Sequence, residues 1–119
     1  MEFRIDKANY PLSNLSNVLS MLKTEFNWYW VGYYILHSER LVLGSFQGPP
    51  ACPKIFKGQG VCGACWGKNE TIVVEDVEKF EGHIACSSKS KSEIVVPIRR
   101  NNEFIGLLDI DSEKLGSFD

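Results

Sequence analysis

Four cysteines clustered in the sequence are the residues best suited to chemistry. Cys52, Cys62, Cys65 and Cys86 fall within one 35-residue stretch, and the rest of the 119-residue chain has none. In a reducing compartment, cysteines are usually buried apolar residues, metal ligands or redox-active thiols, and seldom permanent disulfides. The clustering therefore indicates a site.

The surroundings of two thiols favour the reactive thiolate form. Cys62 lies at the expected start of a helix, where the positive end of the helix dipole favours a thiolate. Cys86 has Lys89 and Lys91 nearby, and their charges act in the same direction. Cys62 and Cys65 also form a C-x-x-C pair, but without thioredoxin-like surroundings the pair is a weak signal. These patterns leave open which thiol reacts.

Three carboxylates are placed to converge at one end of a β-hairpin. Asp109 and Asp111 share a face of the last strand, because side chains alternate along a strand. Like charges on one face repel, so we expect a cation, an amine or a metal to accompany them, unless the strand simply frays into solvent. Glu93 opens the preceding strand and lies at the same sheet end. Such a cluster raises the pKa of at least one carboxyl, which supplies a proton donor near neutral pH and attracts ammonium groups.

The first strand supplies a candidate pocket wall. Trp30, Gly32 and Tyr34 share one face, and two aromatic rings with a gap at the glycine could enclose a small ligand. Aromatic stripes in strands are more often core, so this signal is weak by itself.

Zinc is the main alternative chemistry for the thiols. The four cysteines and His83 provide enough ligands, but the spacing C-x9-C-x2-C-x20-C contains one tight pair, whereas structural zinc sites usually have two. We therefore expect no metal, and inert buried thiols remain a further alternative.

An α+β fold must position these residues. Apolar residues at helical spacing predict a helix over residues 12–26, and a second short helix is expected over residues 61–67. Strands are predicted over 28–36, 41–46, 71–74, 93–100 and 103–111. The first two form a hairpin around the polar turn Ser38-Glu39-Arg40, and the last two form a hairpin around Asn101-Asn102. An antiparallel sheet flanked by helices follows, with long site-forming loops over 47–60 and 76–92.

Composition limits the partners. Thirteen Lys and Arg residues against fifteen Asp and Glu give a net charge of −2, so nucleic acid is not an expected partner. No stretch is apolar enough to span a membrane or serve as a signal peptide, and we expect a single cytoplasmic domain over residues 1–119.

The chain resembles a known family, the free methionine-(R)-sulfoxide reductases, which are GAF-domain enzymes. The likeness runs from about Leu15 to Phe118. It is most specific in Gly58-Gln59-Gly60-Val61-Cys62-Gly63, in Gly82-His83-Ile84-Ala85-Cys86 and in Leu108-Asp109-Ile110-Asp111.

The resemblance implies a role for each matching residue. The family's three redox cysteines are matched by Cys52, Cys62 and Cys86. Its aromatic pocket wall is matched by Trp30 and Tyr34. Its substrate-binding and proton-donating acidic cluster is matched by Glu93, Asp109 and Asp111. The family reduces the free R sulfoxide of methionine through a sulfenic acid and a disulfide, needs no metal or organic cofactor, and is recycled by thioredoxin. The resemblance favours Cys86 as nucleophile, with Cys52 or Cys62 resolving.

Some features depart from the family. Cys65 stands where the family usually has a small residue, and the chain looks short of the family's terminal helices, so an uncovered sheet face would favour a homodimer. The main alternative function is a GAF module that senses a small molecule without turnover, although a sensor has no need of three matching cysteines. A zinc-stabilised interaction domain is the third.

Overall fold

The structure is a computed structural model, and it describes residues 10–82 and 89–119. Its helices are α1 (Pro11–Phe26), α2 (Gly60–Lys68) and a short 3-10 helix (Val77–Lys79). Its strands are β1 (Trp30–His37), β2 (Arg40–Gln47), β3 (Lys54–Ile55), β4 (Ile72–Val74), β5 (Ser92–Arg100) and β6 (Glu103–Ser112).

The strands form one antiparallel sheet in the order β3-β2-β1-β6-β5-β4. This arrangement confirms the predicted α+β class and both predicted hairpins. The β1–β2 hairpin turns at Ser38 and Glu39, and the β5–β6 hairpin turns at Asn101 and Asn102. All four residues have positive φ angles between 52° and 66°, as the tight turns that match strand twist require.

Each helix covers one face of the sheet. α1 packs on β1 and β2 and buries Leu19 completely, whereas α2 packs on the opposite face against β4, β5 and β6. Pro11 occupies the first turn of α1, where its missing N–H is harmless, and Asn27 ends the helix in a left-handed conformation. The sheet therefore separates two apolar layers of the core, one covered by α1 and the other by α2.

Alternation along β6 decides what each layer contains. Leu108 and Ile110 pack in the α1 layer, while Leu107 packs in the α2 layer. Asp109 and Asp111 are two and four residues after Leu107, so their side chains lie on the same face of the sheet, which α2 covers. The site is consequently built on the face that α2 covers.

The sequence-based assignment was wrong in two segments. β3 lies within residues 47–60, which were predicted to form a loop, and the 3-10 helix lies within the second predicted loop, residues 76–92. β3 is only two residues long and exists because Leu41 and Val42 pair with Ile55 and Lys54, a contact that no local pattern encodes. The 3-10 helix begins where Asp76 accepts a hydrogen bond from the backbone N–H of Glu78 at 3.0 Å.

No helix in the described part of the chain combines the length and the apolar character needed to cross a membrane.

Candidate active site

One cavity collects almost all of the predicted site residues. Its empty volume is about 680 Å³ including the open mouth, which is within the usual range for small-ligand pockets. Seven predicted residues line it: Trp30, Tyr34, Cys52, Cys62, Glu93, Asp109 and Asp111. The eighth, Cys86, lies outside the described residues together with His83, so its role stays a prediction.

Two hydrogen bonds from β1 hold the cysteine-bearing loop against the sheet. The indole Nε1 of Trp30 donates to the carbonyl oxygen of Pro49 at 2.9 Å, and the hydroxyl of Tyr34 donates to the carbonyl oxygen of Cys52 at 2.8 Å. Both aromatic side chains are almost fully buried. These residues therefore form a wall of the cavity and also position Cys52.

The expected gap at Gly32 is not open space. A Cβ atom at this position would lie 2.3 Å from Cη2 of Trp30 and 2.7 Å from Cβ of Phe46. The indole ring of Trp30 therefore lies over the glycine, stacked on the ring of Phe46 with a centroid separation of 5.5 Å. The glycine makes room for the wall and not for a ligand.

Strand register brings the three carboxylates together. Glu93 on β5 is paired with Asp111 on β6, and Asp109 lies two residues away on the same face. Glu93 and Asp109 are buried, at 6% and 7% exposure. Asp111 accepts a hydrogen bond from the hydroxyl of Ser90 at 2.9 Å.

Burial and mutual repulsion favour the protonated forms of the two aspartates. The pKa of Asp109 is raised well above its usual value by desolvation and then by the charges of Asp111 and Glu93. The pKa of Asp111 is raised by desolvation and by Glu93, against the opposing effect of Ser90. The cluster therefore holds protons at a pH at which exposed carboxyls have lost them, and it can donate one.

The predicted thiolate character of Cys62 was wrong. Cys62 does lie in the first turn of α2, but it is fully enclosed, and desolvation raises its pKa, as do the carboxylates of Asp109 and Glu93. Because three acids face this thiol, the helix dipole does not decide its charge. Its sulfur and one oxygen each from Glu93 and Asp109 lie within 4.8 Å of one another.

The other cysteines differ in state. Cys52 is disulfide-bonded, whereas Cys62 and Cys65 are free thiols. Cys65 is completely buried in the core, and desolvation raises its pKa to about 11 although Arg99 opposes the shift. Cys65 is not among the residues that line the cavity.

The cavity has further lining residues to which the sequence analysis assigned no role in the site. They are Ala51, Lys54, Ile55, Gln59, Gly60, Val61 and Ser90. Most flank Cys52 or Cys62 in the sequence, and that proximity is the signal that could have found them. Ser90 lies in an irregular segment with no pattern that points to Asp111.

Comparisons with known proteins identify related chains. The GAF domain family matches residues 13–119. GAF domain-containing protein A of Dictyostelium discoideum is 56% identical over 112 residues, covering 93% of this chain and 71% of that protein. Free methionine-R-sulfoxide reductase of Escherichia coli is 48% identical over 107 residues, covering 90% of this chain.

A solved structure gives the same result in three dimensions. Free methionine-R-sulfoxide reductase from Neisseria meningitidis, in complex with its substrate, superposes with a TM-score of 0.89 at 52% identity over 91% of this chain. This chain spans 66% of the Neisseria chain and 64% of the length of the Escherichia coli protein.

Proposed function

We infer the function from one premise, that this chain belongs to the GAF domain family and, within it, to the free methionine-R-sulfoxide reductases. On that premise the chain reduces free L-methionine-(R)-S-oxide to L-methionine. The observation that carries the proposal is the cavity itself, where the disulfide-bonded Cys52 and three clustered carboxylates line the same small space.

The acids suit a free amino acid better than a peptide. A free amino acid has an α-ammonium group, which the methionine residue of a peptide lacks. An ionised carboxylate binds an ammonium group by a charge-assisted hydrogen bond. The cluster of Glu93, Asp109 and Asp111 provides an ionised carboxylate beside its protonated members, while Trp30 and Tyr34 provide an apolar wall for the methyl group and chain. Selectivity for the free sulfoxide follows from this division.

The reduction needs a nucleophile and a proton donor. We assign the nucleophile to Cys86, whose thiolate attacks the sulfoxide sulfur and takes over the oxygen as a sulfenic acid while methionine leaves. The S–O bond of the substrate breaks, and the leaving methionine sulfur keeps the electron pair that the thiolate supplies. A protonated carboxyl in the cluster donates to the sulfoxide oxygen, which makes it easier to transfer.

A second thiol closes the cycle. We assign this role to Cys52, whose thiol condenses with the sulfenic acid, forms a disulfide and releases water. Cys62 is a poorer candidate for either thiol role, because burial and three carboxylates oppose its thiolate. Thioredoxin then supplies two electrons by thiol–disulfide exchange, which places the enzyme in a reducing cytoplasm. The cycle uses no metal or organic cofactor.

Single-turnover methionine release tests these assignments. Reduced protein is mixed with excess free sulfoxide in the absence of thioredoxin, and methionine is measured. The native chain and Cys52→Ser release a single equivalent, whereas Cys86→Ser releases none. With thioredoxin present, the native chain continues and Cys52→Ser does not. Equal loss in both variants would contradict the assignment, and substrate binding without release from the native chain would favour a sensor.

A further inference from the structure

We propose that Cys62, Glu93 and Asp109 form a binding site for a thiophilic divalent cation of the zinc type, and that the bound ion closes the substrate pocket. One potential ligand atom from each residue lies within 4.8 Å of the other two, and all three residues are buried. They come from three rigid elements, α2, β5 and β6, of which β5 and β6 are directly paired.

The spacing is close to what a zinc ion requires. Zinc–sulfur and zinc–oxygen bonds of about 2.3 Å and 2.0–2.2 Å place tetrahedral ligand atoms roughly 3.3–3.7 Å apart. The longest separation in the cluster, at most 4.8 Å, would contract by about 1 Å, which side-chain rotation can supply.

A second observation points to a ligand at this place. The Oδ1 atom of Asp109 is buried and has no hydrogen-bond partner within residues 10–82 and 89–119. The residue as a whole is 7% exposed and lines the cavity. Because an unsatisfied buried polar atom is costly, a cation beside Asp109 would remove that cost.

The donor set selects the class of ion. One sulfur and two carboxylate oxygens suit zinc, which accepts both ligand types and commonly uses three protein ligands with an open fourth position. Magnesium and calcium require six or more oxygen ligands, which this cluster does not offer. Copper(I) prefers sulfur ligands.

Binding would oppose catalysis. The ion forms a bond to the sulfur of Cys62 and displaces the thiol proton to solvent, with no change in oxidation state. Glu93 and Asp109 then hold the metal and cannot contact the substrate. Inhibition that is competitive with the sulfoxide follows, and this step rests on the proposed function.

Direct binding tests the site without any enzyme assay. The background is the full chain carrying Cys52→Ser and Cys86→Ser, which leaves Cys62 and Cys65 as its thiols. Zinc is titrated calorimetrically, and cadmium is titrated while its thiolate charge-transfer absorbance is followed. We expect one ion per chain and the cadmium band, with both retained in Cys65→Ala. In Cys62→Ala the band disappears and affinity falls more than about 100-fold, since even an outer-shell partner contributes roughly 10- to 100-fold.

Asp109→Asn and Glu93→Gln, which nearly preserve side-chain shape, provide a second test should Cys62→Ala fail to fold. Each weakens zinc binding while the cadmium band persists. The proposal is overturned by absent binding, or by binding that survives Cys62→Ala and disappears in Cys65→Ala. Binding in a native chain that shows no reductase activity would support the metal site and contradict the proposed function. Activity that zinc leaves unchanged at saturation would contradict closure of the pocket.

Discussion

Replacing Gly32 by alanine tests whether the pocket wall depends on the absence of one side chain. The added Cβ would meet Cη2 of Trp30 at 2.3 Å, Cζ3 of Trp30 at 2.6 Å and Cβ of Phe46 at 2.7 Å. Real Cβ atoms do not approach so closely, so the indole ring must move. Because Trp30 lines the cavity and donates to Pro49, its movement disturbs both the wall and the loop that carries Cys52.

The expected loss of folding stability in Gly32→Ala follows from the cost of overpacking. One extra methyl group in a packed core destabilises the fold by about 1–3 kcal/mol. Alanine also lowers the conformational entropy of the unfolded chain relative to glycine, which stabilises the fold by about 0.4–1 kcal/mol. With the middle of each range, a net loss of about 1–2 kcal/mol remains. For 119 residues the unfolding entropy is about 0.25 kcal/mol/K, so the thermal midpoint falls by about 4–8 °C.

Gly67→Ala provides a matched control. Gly67 lies in α2, and an added Cβ there meets nothing within 4 Å. Alanine at this helical position raises stability by about 0.5–1 kcal/mol.

Calorimetry gives the midpoint of each variant, and steady-state kinetics with free methionine sulfoxide give kcat/KM. We expect kcat/KM to fall at least about tenfold in Gly32→Ala, since misplacement of about 1 Å can cost roughly 100-fold. Gly67→Ala keeps the native kcat/KM. A Gly32→Ala protein with unchanged midpoint and kinetics would refute the reasoning.

Three further predictions concern individual side chains. Because burial raises the pKa of Asp109, the folded chain retains a proton that the unfolded chain has lost, so stability falls as pH rises above the unfolded pKa. Denaturant titrations from about pH 4.5 to 8 should show that the free energy of unfolding declines less steeply with pH in Asp109→Asn than in the native chain. Equal slopes would contradict this. Tyr34→Phe removes the 2.8 Å hydrogen bond to the Cys52 carbonyl and should cost about 1 kcal/mol, seen as a midpoint about 4 °C lower. Cys65 is fully buried and its pKa is raised to about 11, so it should resist alkylation at pH 8 in the folded protein and react after denaturation. Peptide mass mapping measures the fraction of Cys65 that is alkylated, and rapid labelling of the folded protein would count against the buried position.

The sequence was informative wherever a local pattern decides the structure. Period-two alternation placed Asp109 and Asp111 on one face, and the Asn101-Asn102 turn brought Glu93 to the same end of the sheet. The pairing of Glu93 with Asp111 also requires the register shift between Ile98 and Arg99, since the register at the turn alone would pair Glu93 with Ile110. The meeting of three acids at one end of the sheet was therefore predictable without coordinates, whereas the register shift that puts Glu93 on their face was not.

Features that depend on tertiary contact were not predictable in this way. β3 requires β2 as its partner, and the ring of Trp30 occupies space that the pattern assigned to a ligand. The sequence placed Cys62 at a helix start but gave no measure of burial, and burial beside three acids reverses the expected effect on its pKa. Long-range proximity and desolvation account for each of these differences.

Consumption of a racemic substrate measures the central claim most directly. The chain is incubated with thioredoxin, thioredoxin reductase, NADPH and a limiting amount of racemic free methionine sulfoxide, and NADPH loss is followed to completion. We expect oxidation to stop when half of the sulfoxide has reacted, leaving the S epimer, and to be absent with sulfoxide inside a peptide. No NADPH loss above the protein-free control, or equal use of the peptide, would contradict the account.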